Sequence, residues 1–546
     1  MDPLILGARV AVILAGLVAA SVVYSMGASA REFANRLRSR LLFGLPLGTL
    51  LTILLVAGFF LFVQGGWGHR RVLTLPFTSW SLRYPLGMAT APLAHQNVGH
   101  LIGNLTGFLV FGTIAEYAMS HFPVGRGNAA FGSLRRNPYL RAILFVPVVV
   151  FGVALVTSLF AWGPIIGFSG VGFAAVGFAL VYFPVLTVVG LVAREFLDTV
   201  VWALRDPIVT ASAGTSYGSP WWANIAIQAH LLGLLLGVGL GLALQWRRAE
   251  TPGINPWRLF PASLLMGSSM TLWAVWWYQG SSSYQLFRGP GVVIVVGVAL
   301  LVTIAGSLHE SPIADLSARQ VSLGLVVFPI LLMGVIAMPI NLTASTTELG
   351  APGATVSVDG YEIGYGDEVV DPRFDPINIS DLETPSPPTA TGVIVTNEKR
   401  HLWTEAVPAG RLQNAGQSTI TVGGLGWREE VTVTRTGWRA AGGGSAFSVT
   451  AKPPDGAKTA LFESEQAQAN TVVNGHELSI EPSNETFVIE ATATNSSTVA
   501  SLPDQVTVPS PSNETTLGTL TIVNNESVIW VEQNETWVPV FERENR

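Results

Sequence analysis

Ser169 stands among glycines, in Gly167-Phe168-Ser169-Gly170, at the start of an apolar run that reaches about Tyr182. A hydroxyl becomes a nucleophile when a neighbouring base takes its proton. A helix start beside it adds backbone N–H groups without intrahelical partners and the positive end of the helix dipole. Such donors suit an oxyanion forming next to the serine, and the glycines let backbone approach closely. Gly and Ser also serve simply as packing residues between membrane helices, so the motif gains weight only from a base elsewhere. His230 is that base candidate, in Ala229-His230-Leu231-Leu232-Gly233, with Gly237 one turn on. Gly233 and Gly237 share the helical face of His230. Ser169 has Gly172 and Gly177 three and eight residues on. Two faces of small residues, one carrying Ser and one carrying His, can close until the side chains hydrogen-bond, which is the geometry of general-base activation. The plainer alternative is a histidine hydrogen-bonded within a bundle.

A third constellation is His95-Gln96-Asn97-Val98-Gly99-His100, followed by Asn104. His100 and Asn104 are four apart on one helix and point together; both can donate to an oxyanion at neutral pH. His95 lies off that face and reads as a structural hydrogen-bonding residue. Glu116 reads as a buried structural carboxylate with a hydrogen-bond partner. No acid is placed to orient His230, so the chemistry is that of a Ser-His dyad. Zinc fits poorly, since His-Glu-x-x-His is absent and His95 and His100 do not share a face. The strand-borne Gly-x-Ser-x-Gly elbow also fails, because Val171 stands where its second glycine is needed. Neither metal nor cofactor is expected.

These groups sit in a very apolar chain: 546 residues, 49% hydrophobic and 12% charged. That composition points to a membrane protein. Charge divides it: residues 1–340 hold 9 acidic and 19 basic side chains, residues 341–546 hold 27 and 11. The first part reads as a membrane domain and the second as a water-exposed domain. With no cysteine, disulfides and thiolate chemistry are ruled out. Basic residues are almost all Arg; only Lys399, Lys452 and Lys458 are lysines. An acidic, Lys-poor exterior suits a high-salt habitat, where dense charge is screened.

Apolar runs of roughly 20 residues mark candidate membrane spans. They fall at 4–26, 42–63, 98–119, 142–162, 171–182, 185–204, 223–246, 259–278, 292–308 and 321–340. The first lacks the basic start of a signal peptide and reads as a retained helix. Arg31, Arg36, Arg38 and Arg40, then Arg126, Arg135, Arg136 and Arg141, then Arg247 and Arg248 mark inside loops by the positive-inside rule. Pro184 splits 171–204 into two spans, the second interrupted by Arg194, Glu195 and Asp198. Ten spans put the tail outside, where seven Asn-x-Ser/Thr sequons would be accessible (Asn341, Asn378, Asn484, Asn495, Asn513, Asn525 and Asn534). Within the tail, 419–423, 430–434, 485–490 and 527–532 cluster β-formers between Gly, Pro and Asn breaks, predicting strands and one or two β-sandwich-like units. Residues 381–390 are Pro-rich and predict a loop.

The three motifs together resemble those of the rhomboid intramembrane serine proteases. The matching pieces are His95-x4-His100-x3-Asn104, Gly167-Phe168-Ser169-Gly170 and Ala229-His230-x2-Gly233-x3-Gly237, in the family's order. The resemblance covers roughly 42–246. It implies Ser169 as nucleophile, His230 as base, and His100, Asn104 and the Ser169 N–H as the oxyanion hole. Glu116 matches a structural acid. The family's Trp-Arg pair in the first external loop is not clean; Leu82-Arg83-Tyr84 is the nearest stretch. The expected fold is an α-helical polytopic membrane protein with a rhomboid-like six-helix core and a C-terminal all-β extracellular domain. Its expected parts are an extra helix and loop at 1–41, the protease core at 42–248, three added helices at 249–340 and the β-rich domain at 341–546. Expected partners are the lipid bilayer and transmembrane protein substrates cut near the outer face, with no role for nucleic acid. The competing readings are an inactive relative that binds membrane-protein clients, a transporter, and a tail that selects substrates.

Overall fold

The computed structural model describes residues 2–26, 29–122, 136–210, 218–248, 254–280, 283–313, 315–343, 350–371, 389–484, 486–494, 504–518, 520–533 and 535–544. The sequence-predicted features at Arg126, Arg135, Asn378, Asn495, Asn534 and 381–388 lie outside them. The chain forms two compact units: residues 1–214, 220–277 and 284–346 make one, and 347–546 with 215–219 and 278–283 make the other.

The first unit is helical. Its elements are α1 (Pro3–Met26), α2 (Ser29–Arg40), α3 (Leu47–Gly58, extended by a π turn at Phe59–Val63), α4 (Pro85–Thr90) and α5 (Val98–Met119). Then come α6 (Pro138–Leu140), which leads through a π turn into α7 (Val146–Leu159), α8 (Ser169–Tyr182) and α9 (Pro184–Arg205). The last four are α10 (Ile227–Arg247), α11 (Pro256–Ser269), α12 (Arg288–Ser307) and α13 (Ala318–Thr343). Among the described residues, six helices are long and apolar enough to cross a membrane, with α3 and α8 apolar but shorter. This is a membrane protein. Every apolar run read as a span is helical over most of its length except 259–278: α11 stops at Ser269, and Trp276–Gly280 is a strand paired in a hairpin with Ser283–Leu286. Thr271 has a positive φ of 60°, and the β-rich, Trp- and Tyr-containing sequence beyond it suits a strand better than a helix. Residues 223–226 likewise precede α10, within and after a 3-10 turn.

Helix α8 is the centre. Most of its residues are buried, and it packs against α5, α7, α9 and α10. Its closest partner is α10. A Cβ at Gly233 would collide with the Gly170 carbonyl, one at Gly237 with that of Ala174, and one at Gly177 with that of Leu234. Only glycine allows two backbones to meet so closely. Gly172 differs from expectation: nothing lies within 4 Å of a Cβ placed there, so the contact stripe on α8 is Gly170, Ala174 and Gly177.

Polar side chains finish the helix ends. Glu116 of α5 accepts from the first-turn N–H groups of α3, Gly48 at 2.9 Å and Thr49 at 2.7 Å, and from the Thr49 hydroxyl at 2.7 Å. A carboxylate there satisfies orphan donors and meets the positive helix end. The buried His121 imidazole accepts from the Leu42 N–H on Nδ1, so its proton sits on Nε2 and is donated to Glu116 at 2.6 Å. At the end of α5, Arg40, Arg141 and Arg248 donate to the carbonyls of Ala118, Met119 and Ser120. Arginines read as topology markers therefore also complete the α5 C-terminus. Replacing Glu116 by leucine strands four donors in a buried site. This should lower stability by about 3–5 kcal/mol, with Glu116→Gln milder; unfolding in detergent micelles measures it, and an unchanged midpoint would contradict the role.

The second unit is antiparallel β with one short helix, Ala409–Ala415. Four strands within residues 355–408 form one sheet in chain order, and four within 467–507 form another. The remaining eight form the largest sheet, in which the last strand (Thr536–Arg543) returns to pair with Trp427–Ala440. Trp438, Ala446, Ile522, Val531 and Phe541 of that sheet share a core with Leu478, Ile480 and Ile489 of its neighbour, a sandwich-like packing. The predicted strands 419–423 and 430–434 lie within observed ones, as do residues 486–490 and 528–532 of the other two, whereas Thr389 and Ala390 begin a strand rather than end a loop. A buried bidentate pair, Arg435 to Glu544 at 2.8 Å on both arms, ties the chain's final residues to this core. The nearby Tyr365 hydroxyl is pushed up to about 12 by burial, with Arg435 opposing.

Candidate active site

Ser169 is the first residue of α8, and Phe168 forms its cap without a side-chain hydrogen bond. Gly167 precedes it with φ +129°, a backbone region that L side chains rarely adopt. The space also demands glycine: a Cβ there would lie 2.6 Å from His100 Cε1, 2.7 Å from its Nε2 and 3.4 Å from Asn104 Nδ2. The side chains of His100 and Asn104, one turn apart on α5, thus both lean on the backbone two residues before Ser169. The Asn97 side chain starts α5 by accepting from the His100 N–H at 2.9 Å, which is ordinary N-capping. Neither His100 Nδ1 nor Asn104 Nδ2 has a hydrogen-bond partner among the described residues.

His230, in the first turn of α10, places Nε2 at 2.8 Å from Ser169 Oγ. Its ring stacks on Phe173 at 4.3 Å between centroids and 14° between planes. Nδ1 has no partner among the described residues, so the ring is oriented by packing and not by an acid. Transfer of the serine proton requires the tautomer with hydrogen on Nδ1, in which Nε2 accepts. His95 contacts His100 edge to face at 5.1 Å. Its own Nδ1 lies 3.2 Å from the Leu93 carbonyl, and its N–H donates to Gln64 Oε1 at 2.8 Å. Its place beside His100 is a supporting one. Glu116 sits at the other end of α5, away from Ser169. Gly170, Gly233 and Gly237 carry the helix crossing that brings Ser169 and His230 together.

Further groups hold the serine loop, and sequence reading missed them. Gln228, two residues before His230, donates to the Phe160 carbonyl at 2.8 Å and accepts from the Trp162 N–H at 3.0 Å. Ser79 bonds both backbone groups of Ile165, accepting at 2.9 Å and donating its N–H at 3.2 Å. Asn341 of α13 donates to the carbonyls of Leu159 and Ala161 at 3.0 and 2.8 Å and accepts from the Leu82 N–H at 3.2 Å. This sequon asparagine is 2% exposed, so its amide is spent inside the unit. Arg83 is exposed; the first loop is instead held by Tyr84, whose hydroxyl donates to Pro76 at 2.8 Å, and by Trp80, which donates to Leu75 at 2.6 Å. Phe173 alone left a signal, as an aromatic one turn after Ser169. A cavity of about 470 Å³ opens onto Ser169, His230, His100 and Asn104.

The rhomboid domain model matches residues 83–247. These residues form a rhomboid domain. The matched stretch runs from the first loop to the end of α10, and so takes in all three motifs but not α3. Comparison with curated proteins gave no match, and comparison with solved structures gave none. Helices α11 to α13 and the β unit lie outside the rhomboid match.

Proposed function

We propose that the chain is an intramembrane serine endopeptidase that cleaves transmembrane segments through the Ser169-His230 dyad. The observation that carries this is the 2.8 Å contact between His230 Nε2 and Ser169 Oγ at the wall of a cavity of mixed polar and apolar lining inside a helical membrane unit. His230 takes the hydroxyl proton as Oγ adds to the scissile carbonyl carbon. The oxyanion that forms is held by donors of His100 and Asn104 and by the Ser169 N–H. His230 then gives its proton to the leaving amine, the C–N bond breaks, and an acyl-serine remains. Water, deprotonated by the same imidazole, adds to the ester; collapse releases the acid and restores Oγ–H. The stacked Phe173 face favours the transient imidazolium.

Depth follows from length. Fourteen residues of α8 span about 21 Å, less than the roughly 30 Å hydrocarbon core, so Ser169 lies below the surface and the cavity must bring it water. Ten crossings, with α9 and α11 included, put the β unit outside the cell membrane. The substrates are transmembrane proteins with small residues at the cut, and nucleic acid has no part.

The test is cleavage of a tagged single-span substrate by the full chain in liposomes, with labelling of Ser169 by a fluorophosphonate. Cleavage with labelling at Ser169 supports the reading. A substrate panel left uncut, together with an unlabelled Ser169, points to a client-binding relative.

A further inference from the structure

Arg194 lies midway along α9 yet lines the same cavity as Ser169 and His230. Helix α9 is less apolar than the six helices fit to cross a membrane, and an ionisable group on it that faces a cavity within the membrane unit is a functional-site candidate. Its stem lies against Gly107 of α5: Nε and Cδ are 3.5 and 3.7 Å from a Cβ placed there. Gly107 is three residues after Asn104, on the face that Asn104 and His100 share, so the guanidinium reaches the cavity about one turn deeper than the oxyanion donors. Among the described lining residues Arg194 is the one with a full charge. Its neutralisation is weak. Among the described residues one carboxylate oxygen approaches, from Glu195 at 3.3 Å, on a side chain 66% exposed. Asp198, one turn on, instead accepts from the Thr106 hydroxyl at 2.8 Å.

We infer that Arg194 is a specificity determinant that recognises a carboxylate, from Asp or Glu, carried within the substrate's membrane segment about one helical turn from the scissile bond. The guanidinium fork suits a carboxylate and can take it bidentately, and an acidic side chain in a membrane segment gains where a partly buried cation lining the cavity meets it. The inference rests on the endopeptidase reading for the word substrate, so its test reads binding as well as cleavage. The full chain carrying Ser169→Ala is placed in nanodiscs. Fluorescent single-span peptides carry Asp, Asn or Lys one turn to either side of a small-residue site. The Asp peptide should bind about tenfold tighter than the Asn peptide, with Lys weakest. Arg194→Gln should remove the order, and Arg194→Glu should reverse it. Equal binding of the three peptides, or an order unchanged in both variants, overturns the inference. Cleavage by the unmutated chain reports separately: discrimination without cleavage retains Arg194 as the carboxylate site and removes proteolysis, whereas cleavage without discrimination does the opposite.

Discussion

Cleavage of a membrane substrate should fall by at least about 10³-fold in Ser169→Ala, and by a similar factor in His230→Ala, because each removes one half of a single proton-transfer unit. The double variant should be no slower than either single one. KM should change little, since neither side chain makes the main contacts to a bound helix. Fluorophosphonate labelling should disappear in Ser169→Ala and drop sharply in His230→Ala, since the hydroxyl without its base is an ordinary alcohol. Additive losses would mean that the two groups act independently, and the 2.8 Å contact would then lack catalytic meaning.

The second large effect lies in the helix crossing. Gly237→Leu places a side chain where the Ala174 carbonyl sits, and Gly233→Leu does the same at Gly170. The helices must part to admit it. Because Ser169 and His230 ride on opposite sides of this contact, a separation of an ångström moves them out of register, and misplacement on that scale costs on the order of 10²-fold in rate. Activity should therefore be lost together with a lower unfolding midpoint. Gly297→Ala, in α12 with open space around its Cβ, should leave both unchanged. Full activity in Gly237→Leu would show that the dyad does not depend on this crossing.

Much of this was legible because membrane sequences are constrained. Backbone groups in lipid must be satisfied by helices, so apolar runs translate into helices with little ambiguity, and Pro184 breaks α8 from α9 where it stands. Gly233 and Gly237 could be read as a contact face because small residues at helical spacing have few other uses. Which glycines of α8 would meet them could not: Gly172 and Gly177 were equally placed by count, and only the crossing angle selects Gly170 and Gly177. The run at 259–278 misled because apolarity alone does not separate a long helix from a short helix followed by an aromatic strand. Gln228, Ser79 and Asn341 were invisible for a different reason. Each bonds the backbone of a segment distant in sequence, and a backbone acceptor leaves no trace in residue identity.

Asn341 has a consequence for where this enzyme candidate begins and ends. It lies nearly a hundred residues past the rhomboid match, yet its amide ties down the turn between α7 and the serine loop, and its carbonyl holds the first loop. A fragment trimmed to residues 83–247 leaves the Leu159 and Ala161 carbonyls without those donors. The contacts that hold the serine loop thus extend as far as α13. A helix wired in this way is more than an appendage: without its amide the loop must find other donors for those carbonyls. The boundary of the matched domain is therefore not the limit of what holds its loops in place.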